Sequence, residues 1–285
     1  MSGIRIVTDS ACDLSLATAA ELAIDIVPLT VRIGGTEYVD QRELTVKEFW
    51  AKSAQTKDLP ETAAPSPGAF EEAFRAAAAQ GASGIVCVTL SSGLSATFQS
   101  AQLAADAAKD TIPVRVIDSR SVTFAQGLVA IAGAQAAAAG QSIDEVAALV
   151  AAKVPRMRVF AALDTLENLK KGGRIGAARA ALGSMLNIKP LIQVVDGAVE
   201  ELGKQRTRSR SLAQLIETGK QHGAADAQPL GVMHSEAADV DAFVDELATA
   251  LGRPRSEILV GDIGPVVGTH VGPGTIGLAY DQPAS

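Results

Sequence analysis

Short apolar runs alternate with helix-length segments through the first half of the chain. The runs IRIVTDS (4–10), GIVCVTL (84–90) and VRVIDS (114–119) have the apolar character of buried strands. Helical segments begin at Pro67, at Leu94 and at about Phe124. Strands joined by helical crossovers run parallel, and the crossovers cover both faces of the sheet. The alternation therefore predicts an α/β domain built on a parallel sheet.

The second half of the chain has a different pattern. RVFAALD (158–164) is strand-like, and the helical stretch after it is broken by Gly172-Gly173 before a second helix. Asp196-Gly197 between two apolar runs signals a β-hairpin. The chain ends in strands and a glycine-rich turn that contains His270. Because hairpins mix with helices here, we expect an α/β domain at residues 1–155 and an α+β domain at residues 156–285.

Composition limits the kind of binding site that this chain can build. Hydrophobic residues make up 47% of it but aromatic residues only 4%, so an apolar pocket would be lined by aliphatic groups. The net charge of −7 argues against nucleic-acid binding, which relies on a basic surface. Residues 170–210 depart from this average, with nine Lys or Arg against three acids. This basic segment is either a solvated face or a site for an anion or an acidic partner.

The sequence has no feature of a membrane, secreted or metal-binding protein. No apolar run is long enough for a membrane span and no secretory signal is present, so we expect a cytoplasmic location without stable membrane insertion. Cys12 and Cys87 are far apart and fit no metal or redox spacing, and reduced thiols suit the cytoplasm. Because metal-ligand spacing and nucleotide-binding glycine motifs are also lacking, we expect neither a metal nor a cofactor.

Three serines surround a glycine where the strand at 84–90 meets a helix. In TLSSGLSATFQSA they are Ser91, Ser92 and Ser95. Such hydroxyls can cap the helix, hold an anion at its N-terminus, or supply a nucleophile. The nucleophile pattern G-x-S-x-G is only half met, because Thr97 stands in place of the second glycine. The chain also offers three histidines as a base: His222, His234 and His270.

A second hydroxyl-bearing loop precedes the helix that begins at Pro67. Ser66 is placed to cap that helix, as Asp13 is for the predicted helix from Leu14 to Glu21. Thr62 lies too far upstream to cap it. Ligands of parallel α/β sheets bind beyond the carboxyl ends of the strands, so the two loops could converge on an anion there. His270 could add a donor or serve as a structural hydrogen-bond partner.

A set of motifs spread along the chain is similar to those of one known family. They are IVTDSACDLS, VPLTVRIGGTEYVDQ, TAAPSPGAFEEAF, TLSSGLSATFQSA, VRVIDSRSVTFAQG, LENLKKGGRIG, LNIKPLI and THVGPGTIGL. Together they resemble the DegV family, whose members bind fatty acids. The chain departs from the family pattern at Ala96, where Gly is frequent, and at Ala63-Ala64, where a polar residue is frequent. These departures bear on the shape of the pocket.

The resemblance implies a fold and a function. Two domains would hold a long-chain fatty acid such as palmitate in an apolar tunnel between them. Its carboxylate would contact Thr62, Ser95 and His270, and Arg206 would take part in phosphorylation of the bound acid by a separate fatty acid kinase. The protein would then be a lipid-binding carrier subunit rather than an enzyme. The alternative is a serine hydrolase with Ser95 as its nucleophile.

Overall fold

The computed structural model describes residues 3–178 and 188–282. Up to residue 153, strands and helices alternate as the sequence predicts. In chain order they are β1 (Ile4–Asp9), α1 (Leu16–Glu21), β2 (Ile24–Val27), β3 (Thr30–Ile33), β4 (Thr36–Val39), α2 (Val46–Ser53), β5 (Glu61–Ala63), α3 (Pro67–Ala79), β6 (Gly84–Thr89), α4 (Thr97–Ala108), β7 (Val114–Asp118), α5 (Thr123–Ala138) and α6 (Ile143–Lys153).

The strands β2, β1, β6 and β7, in that order, form a parallel sheet. Every residue of β6 is buried, because successive side chains point to opposite faces and both faces are covered. Ile85 and Cys87 face α3 and α4, where they meet Phe70 and Phe74. Val86 packs on the α5 side. The prediction of a parallel sheet covered on both faces is confirmed.

The remaining elements build a mixed sheet. In chain order they are β8 (Met157–Ala162), α7 (Glu167–Lys171), β9 (Lys189–Val195), β10 (Ala198–Gln205), α8 (Arg208–Gln221), β11 (Leu230–His234), α9 (Val240–Leu251), β12 (Ile258–Asp262), α10 (Pro265–Val271) and β13 (Ile276–Asp281). The strands lie in the order β10, β9, β8, β13, β11, β12 and are antiparallel except for β11 and β12. Helices α8 and α9 cover one face.

Three sequence predictions concern this half of the chain and its first residues. The hairpin expected at Asp196-Gly197 joins β9 to β10. The helix expected after Gly172-Gly173 extends into residues 179–187, which lie outside the described residues. The proposed domain boundary between residues 155 and 156 falls in the short 3-10 turn Val154–Arg156 that joins α6 to β8.

A small antiparallel sheet, in the order β4, β3, β5, completes the fold. A hairpin at Gly34-Gly35 connects β3 to β4, and both glycines have positive φ, 56° and 86°. The sequence predicts a loop at residues 61–63, but the structure has strand β5 there, which pairs Thr62 with Val31. This pairing fixes the backbone on which the Thr62 side chain is carried. Ser66 caps α3 as predicted, since its Oγ accepts from the N–H of Ala69 at 3.2 Å.

Helix α5 joins the two large sheets, because it packs against β1 on one side and β13 on the other. Phe124 in its first turn lies so close to Gly231 on β11 that no side chain would fit there. The largest buried hydrophobic cluster accordingly takes residues from both halves, among them Val129, Val159 and Ala279. Helix α5 therefore lies between the two large sheets.

Asp13 does not cap the helix that follows it, so this sequence prediction is wrong. The N-cap of α1 is Ser15, whose Oγ accepts from the backbone N–H of Thr18 at 3.0 Å. Asp13 has a left-handed φ of 53°. Its carboxyl group accepts from the Thr123 hydroxyl at 2.6 Å and from the backbone N–H of Gly264 at 3.0 Å. Asp13 is thus tied to the starts of α5 and α10.

Ionisation of Asp13 should weaken the folded state as the pH rises. Burial raises the pKa of its carboxyl from the usual 3.8 to about 8, and the charges of Asp40 and Asp9 add to the rise. Between these values the folded chain keeps a proton that the unfolded chain releases, so the free energy of unfolding falls with pH. Because Asp13 is only half-buried, water moderates this effect. Between about pH 6.5 and 8.5 we expect the free energy of unfolding of the wild type to fall by about 1 kcal/mol more than that of Asp13→Asn. Urea unfolding checks this, and equal losses would contradict it.

Candidate functional site

An apolar cavity lies between the two halves of the chain. Its walls are aliphatic side chains from both halves, including Leu90 and Val122 from the first and Val159, Ile192 and Met233 from the second. Its volume, including the space at its open mouth, is about 920 Å³. Among the described residues no Phe, Tyr or Trp lines it. The cavity therefore suits a thin flexible chain better than a ring.

Small residues on the mixed sheet form the floor of this cavity. Ala161 on β8 is paired with Gly277 on β13, and Val159 on β8 with Ala279 on β13. All four line the cavity, because alternate residues of a strand share one face. Glycine and alanine leave a trough above the sheet that larger side chains would fill.

Two hydroxyls and an imidazole from distant parts of the sequence are among the polar groups that line the cavity. Thr62 Oγ1 and His270 Nε2 are 2.9 Å apart although 208 positions separate them in the sequence. Ser95 lines the same cavity, and its Oγ lies 2.9 Å from Thr97 Oγ1 and accepts from the Thr97 N–H at 3.3 Å. This last bond satisfies an N–H at the start of α4, so Ser95 also contributes to capping. The fold thus brings Thr62, Ser95 and His270 to one cavity.

His270 is neutral near pH 7. Burial, helped by the positive charge of Arg174, lowers the pKa of its imidazole to about 4. Its Nδ1 is buried without a hydrogen-bond partner in the described part of the chain, and it lies against Gly172, where no side chain would fit. A neutral ring that carries its proton on Nε2 donates to Thr62 Oγ1. The Thr62 hydroxyl proton is then free to be donated to a ligand.

The backbone around His270 differs from the sequence prediction of a glycine-rich turn. His270 lies in the last turn of α10. Gly268, inside this helix, packs close to Trp50, and a Cβ there would be 3.2 Å from Trp50 Cζ2. Only Gly272 and Gly274, with φ of 79° and 78°, serve the turn that follows. The glycine-rich sequence predicts a turn here, but Gly268 lies inside a short helix and is needed for close packing.

Arg174 is a cavity residue that the sequence analysis counted only within the basic segment. It is the one charged side chain lining the cavity among residues 3–178 and 188–282. Its Nε donates to the carbonyl oxygen of Leu94 at 3.1 Å, and its Nη1 to that of Gly172 at 2.7 Å. The only sequence signal was its place in the KKGGRIG motif. A guanidinium, two hydroxyls and a neutral imidazole together suit an anion.

Arg206 lies outside the cavity. It is exposed directly after β10, and the eight residues of that strand separate it from the hairpin tip at Gly197. At about 3.3 Å per residue this is roughly 25 Å. Of the four residues predicted to have a role, Thr62, Ser95 and His270 line the cavity and Arg206 does not.

The described ranges contain neither a membrane-spanning helix nor a cluster of metal ligands. None of their helices is both long enough and apolar enough to cross a bilayer. No three His, Cys, Asp or Glu side chains in these ranges are placed to hold a metal ion. Cys12 and Cys87 are buried and free.

One protein family matches this chain along nearly the whole length of the chain. The sequence model described as "Uncharacterised protein, DegV family" matches residues 3–282. The chain belongs to the DegV family. It is 35% identical over 280 residues to a DegV domain-containing protein of Streptomyces coelicolor, covering 98% of both chains. It is 37% identical over 286 residues to one of Mycobacterium bovis, covering 99% of this chain and 98% of the relative. The predicted family resemblance is confirmed.

Solved DegV structures share this fold. A DegV family protein of Thermus thermophilus, described by its fatty acid binding, superposes with a TM-score of 0.89 at 32% identity, covering 99% of this chain and all of that one. A protein of Eubacterium ventriosum, described as binding stearic acid, superposes with a TM-score of 0.86 at 29% identity and 98% coverage of both. The predicted α/β fold of the DegV type is thereby confirmed.

Proposed function

We propose that this DegV protein binds a long-chain fatty acid in the cavity between its two domains, residues 1–155 and 156–285. One observation carries the proposal: an aliphatic cavity includes in its lining two hydroxyls, an imidazole and, within the described residues, a single arginine. An amphiphile with one anionic end matches both parts. The fatty acids bound by the relatives from Thermus thermophilus and Eubacterium ventriosum are ligands of this chemistry.

The carboxylate is held by Thr62, Ser95, His270 and Arg174. A carboxylate taken out of water needs several donors and a nearby positive charge. The two hydroxyls supply protons, His270 orients Thr62 through its Nε2, and Arg174 supplies the charge. The neutral state of His270 suits this role, because the ring can hydrogen-bond without adding a second positive charge to a buried site.

The alkyl chain supplies most of the affinity. Each buried CH₂ contributes about 0.8 kcal/mol, so a sixteen-carbon chain gains roughly 12 kcal/mol before the costs of ordering it. The trough over Ala161, Gly277 and Ala279 gives the chain a smooth aliphatic surface. The polar end mainly fixes orientation and selects for a carboxylate.

Removing single hydroxyls should weaken binding by a moderate amount. We expect Thr62→Val and Ser95→Ala each to raise the Kd for palmitate about 10- to 100-fold, because a hydrogen bond to a charged group contributes about 1.5–3 kcal/mol. Titration calorimetry measures this. Thr249→Val, on the exposed side of α9, is the matched control and should leave the Kd unchanged. Unchanged affinity in Thr62→Val and Ser95→Ala would refute the assignment of the carboxylate site.

We further propose that the bound acid is presented to a separate fatty acid kinase for acyl-phosphate formation. This extends the family resemblance, in which Arg206 has that role. Supporting it, the side chain of Arg206 is exposed and makes no ion pair within the described residues. By contrast, Lys189 and Arg208 nearby pair with Asp164. A free cation on the surface is available to an acidic partner or to nucleotide phosphates. We place this function in the cytoplasm, where Cys12 and Cys87 stay reduced.

The alternative, a serine hydrolase, is less well supported by the geometry. The Ser95 hydroxyl is bonded to Thr97, and in the described residues no imidazole is bonded to it. The nearby imidazole, His270, faces Thr62 instead, and its Nδ1 has no acid to orient it in that part of the chain. A Ser-His-acid arrangement requires both bonds. A burst of product from an ester substrate would favour the hydrolase.

A further inference from the structure

Ser91, the first serine of the loop that carries Ser95, makes a contact between the two halves of the chain. It is fully buried, and its Oγ donates to the carbonyl oxygen of Gly197 at 2.7 Å. Gly197 is the tip of the β9–β10 hairpin. The same Oγ accepts from the N–H of Gly93 at 3.1 Å. One hydroxyl therefore links the serine loop to the opposite sheet.

The contact leaves no room for larger residues. A Cβ on Gly93 would lie 2.7 Å from the Gly197 oxygen, and a Cβ on Gly197 would lie 2.5 Å from Ser91 Oγ. Gly197 also has a φ of 82°, which favours glycine. A serine packed between two glycines from distant parts of the sequence forms a close and specific joint.

Both sides of this joint lead directly to the cavity. The Ser91 carbonyl oxygen accepts from the N–H groups of Leu94 and Ser95, at 3.0 and 3.1 Å, and both of these residues line the cavity. On the other side, the hairpin carries Val194 and Val199, which line it as well. The position of Ser91 therefore sets the position of the Ser95 hydroxyl relative to the opposite wall.

We propose that Ser91 is a positioning residue that clamps the hairpin tip to the serine loop, and so fixes the Ser95 donor and holds the ligand in the closed crevice. This inference rests on the proposed function. Breaking the Ser91–Gly197 bond lets the loop and the hairpin separate, so bound acid leaves faster. It also lets the Ser95 hydroxyl drift, so recognition of the carboxylate suffers more than recognition of the chain.

The neighbouring serine provides a matched control. Ser92 Oγ donates to Asp118 at 2.5 Å, and the Ser92 N–H bonds to the same carboxylate at 3.2 Å. These contacts stay within the first half of the chain. Ser92→Ala therefore removes an equal hydroxyl from the same loop without touching the joint at Gly197.

The test compares Ser91→Ala, Gly93→Ala and Ser92→Ala by stopped-flow release of palmitate and by the affinities for myristate and 1-tetradecanol. We expect Ser91→Ala to speed release about tenfold with little change in association, and to lower the preference for myristate over the alcohol about fivefold. Gly93→Ala, which presses on the Gly197 oxygen from the other side, should act in the same direction, whereas Ser92→Ala should not.

Three results would overturn the inference. Release from Ser91→Ala at the wild-type rate shows that the joint does not hold the ligand. Equal losses for myristate and for the alcohol show a merely structural role. Wild-type protein that binds neither palmitate nor myristate defeats the proposed function itself, and this inference with it.

Discussion

A protein carrying Ala161→Leu is expected to lose its fatty acid while keeping its fold. Ala161 lies in the floor of the cavity, between Ile192 and Gly277 on the neighbouring strands. A leucine side chain there takes the space of about three CH₂ groups of the ligand, which costs roughly 2–3 kcal/mol of binding free energy. Crowding of the rest of the ligand costs about 1–3 kcal/mol more. We therefore expect the Kd for palmitate to rise at least about 100-fold, measured by calorimetry or by extraction of bound lipid.

An alanine-to-leucine substitution on the surface is the control for the loss of lipid in Ala161→Leu. Ala107 is exposed on α4, and Ala107→Leu should leave both lipid content and melting temperature unchanged. The added methyl groups of Ala161→Leu fill empty space, so its melting temperature should stay close to that of the ligand-free wild type. One palmitate per chain in Ala161→Leu would show that the alkyl chain does not run over this floor.

Arg206→Glu is expected to abolish acyl-phosphate formation by a fatty acid kinase while leaving the bound lipid in place. Arg206 is exposed and is not among the residues that line the cavity, so its reversal leaves the groups of the carboxylate site in place. Like charges brought together at an interface cost several kcal/mol, so acyl phosphate should fall at least about 100-fold. The measurement is product formation by a kinase that phosphorylates the wild-type complex.

A charge reversal elsewhere controls for the altered net charge. Lys47 is exposed near the start of α2, where a glutamate is well tolerated. Lys47→Glu should support acyl-phosphate formation at the wild-type level. Undiminished turnover of the Arg206→Glu complex would remove Arg206 from the kinase interaction, and displaced lipid in that variant would mean that it acts on the cavity instead.

Local patterns predicted most of the secondary structure. The buried run Gly84–Thr89, the cap at Ser66 and the hairpin at Asp196-Gly197 each depend on a few neighbouring residues, and each formed as expected. Asp13 failed because two distant partners, Thr123 and Gly264, bind its carboxyl group. A capping rule sees only the nearest residues of the chain.

The candidate site was less accessible from the sequence. Strand order suggested that Thr62 and Ser95 could converge, but the contact between Thr62 and His270 joins β5 to α10 and depends on how the halves pack. The loops had offered Thr62, Ser95 and His270 as candidates, and the family resemblance assigned the three together to a carboxylate. The sequence did not indicate Arg174 as a cavity residue. It belongs to a basic segment, but its hydrogen bonds to the carbonyl oxygens of Leu94 and Gly172 direct its side chain inward. No spacing rule distinguishes such a cation from its solvated neighbours.

Whether this chain carries a long-chain fatty acid is decided by native mass spectrometry of the freshly purified protein. We expect a complex with one fatty acid per chain, whose identity follows from solvent extraction and lipid analysis. Protein that is bare after purification and that also fails to take up added palmitate or oleate would rule out the proposed carrier function.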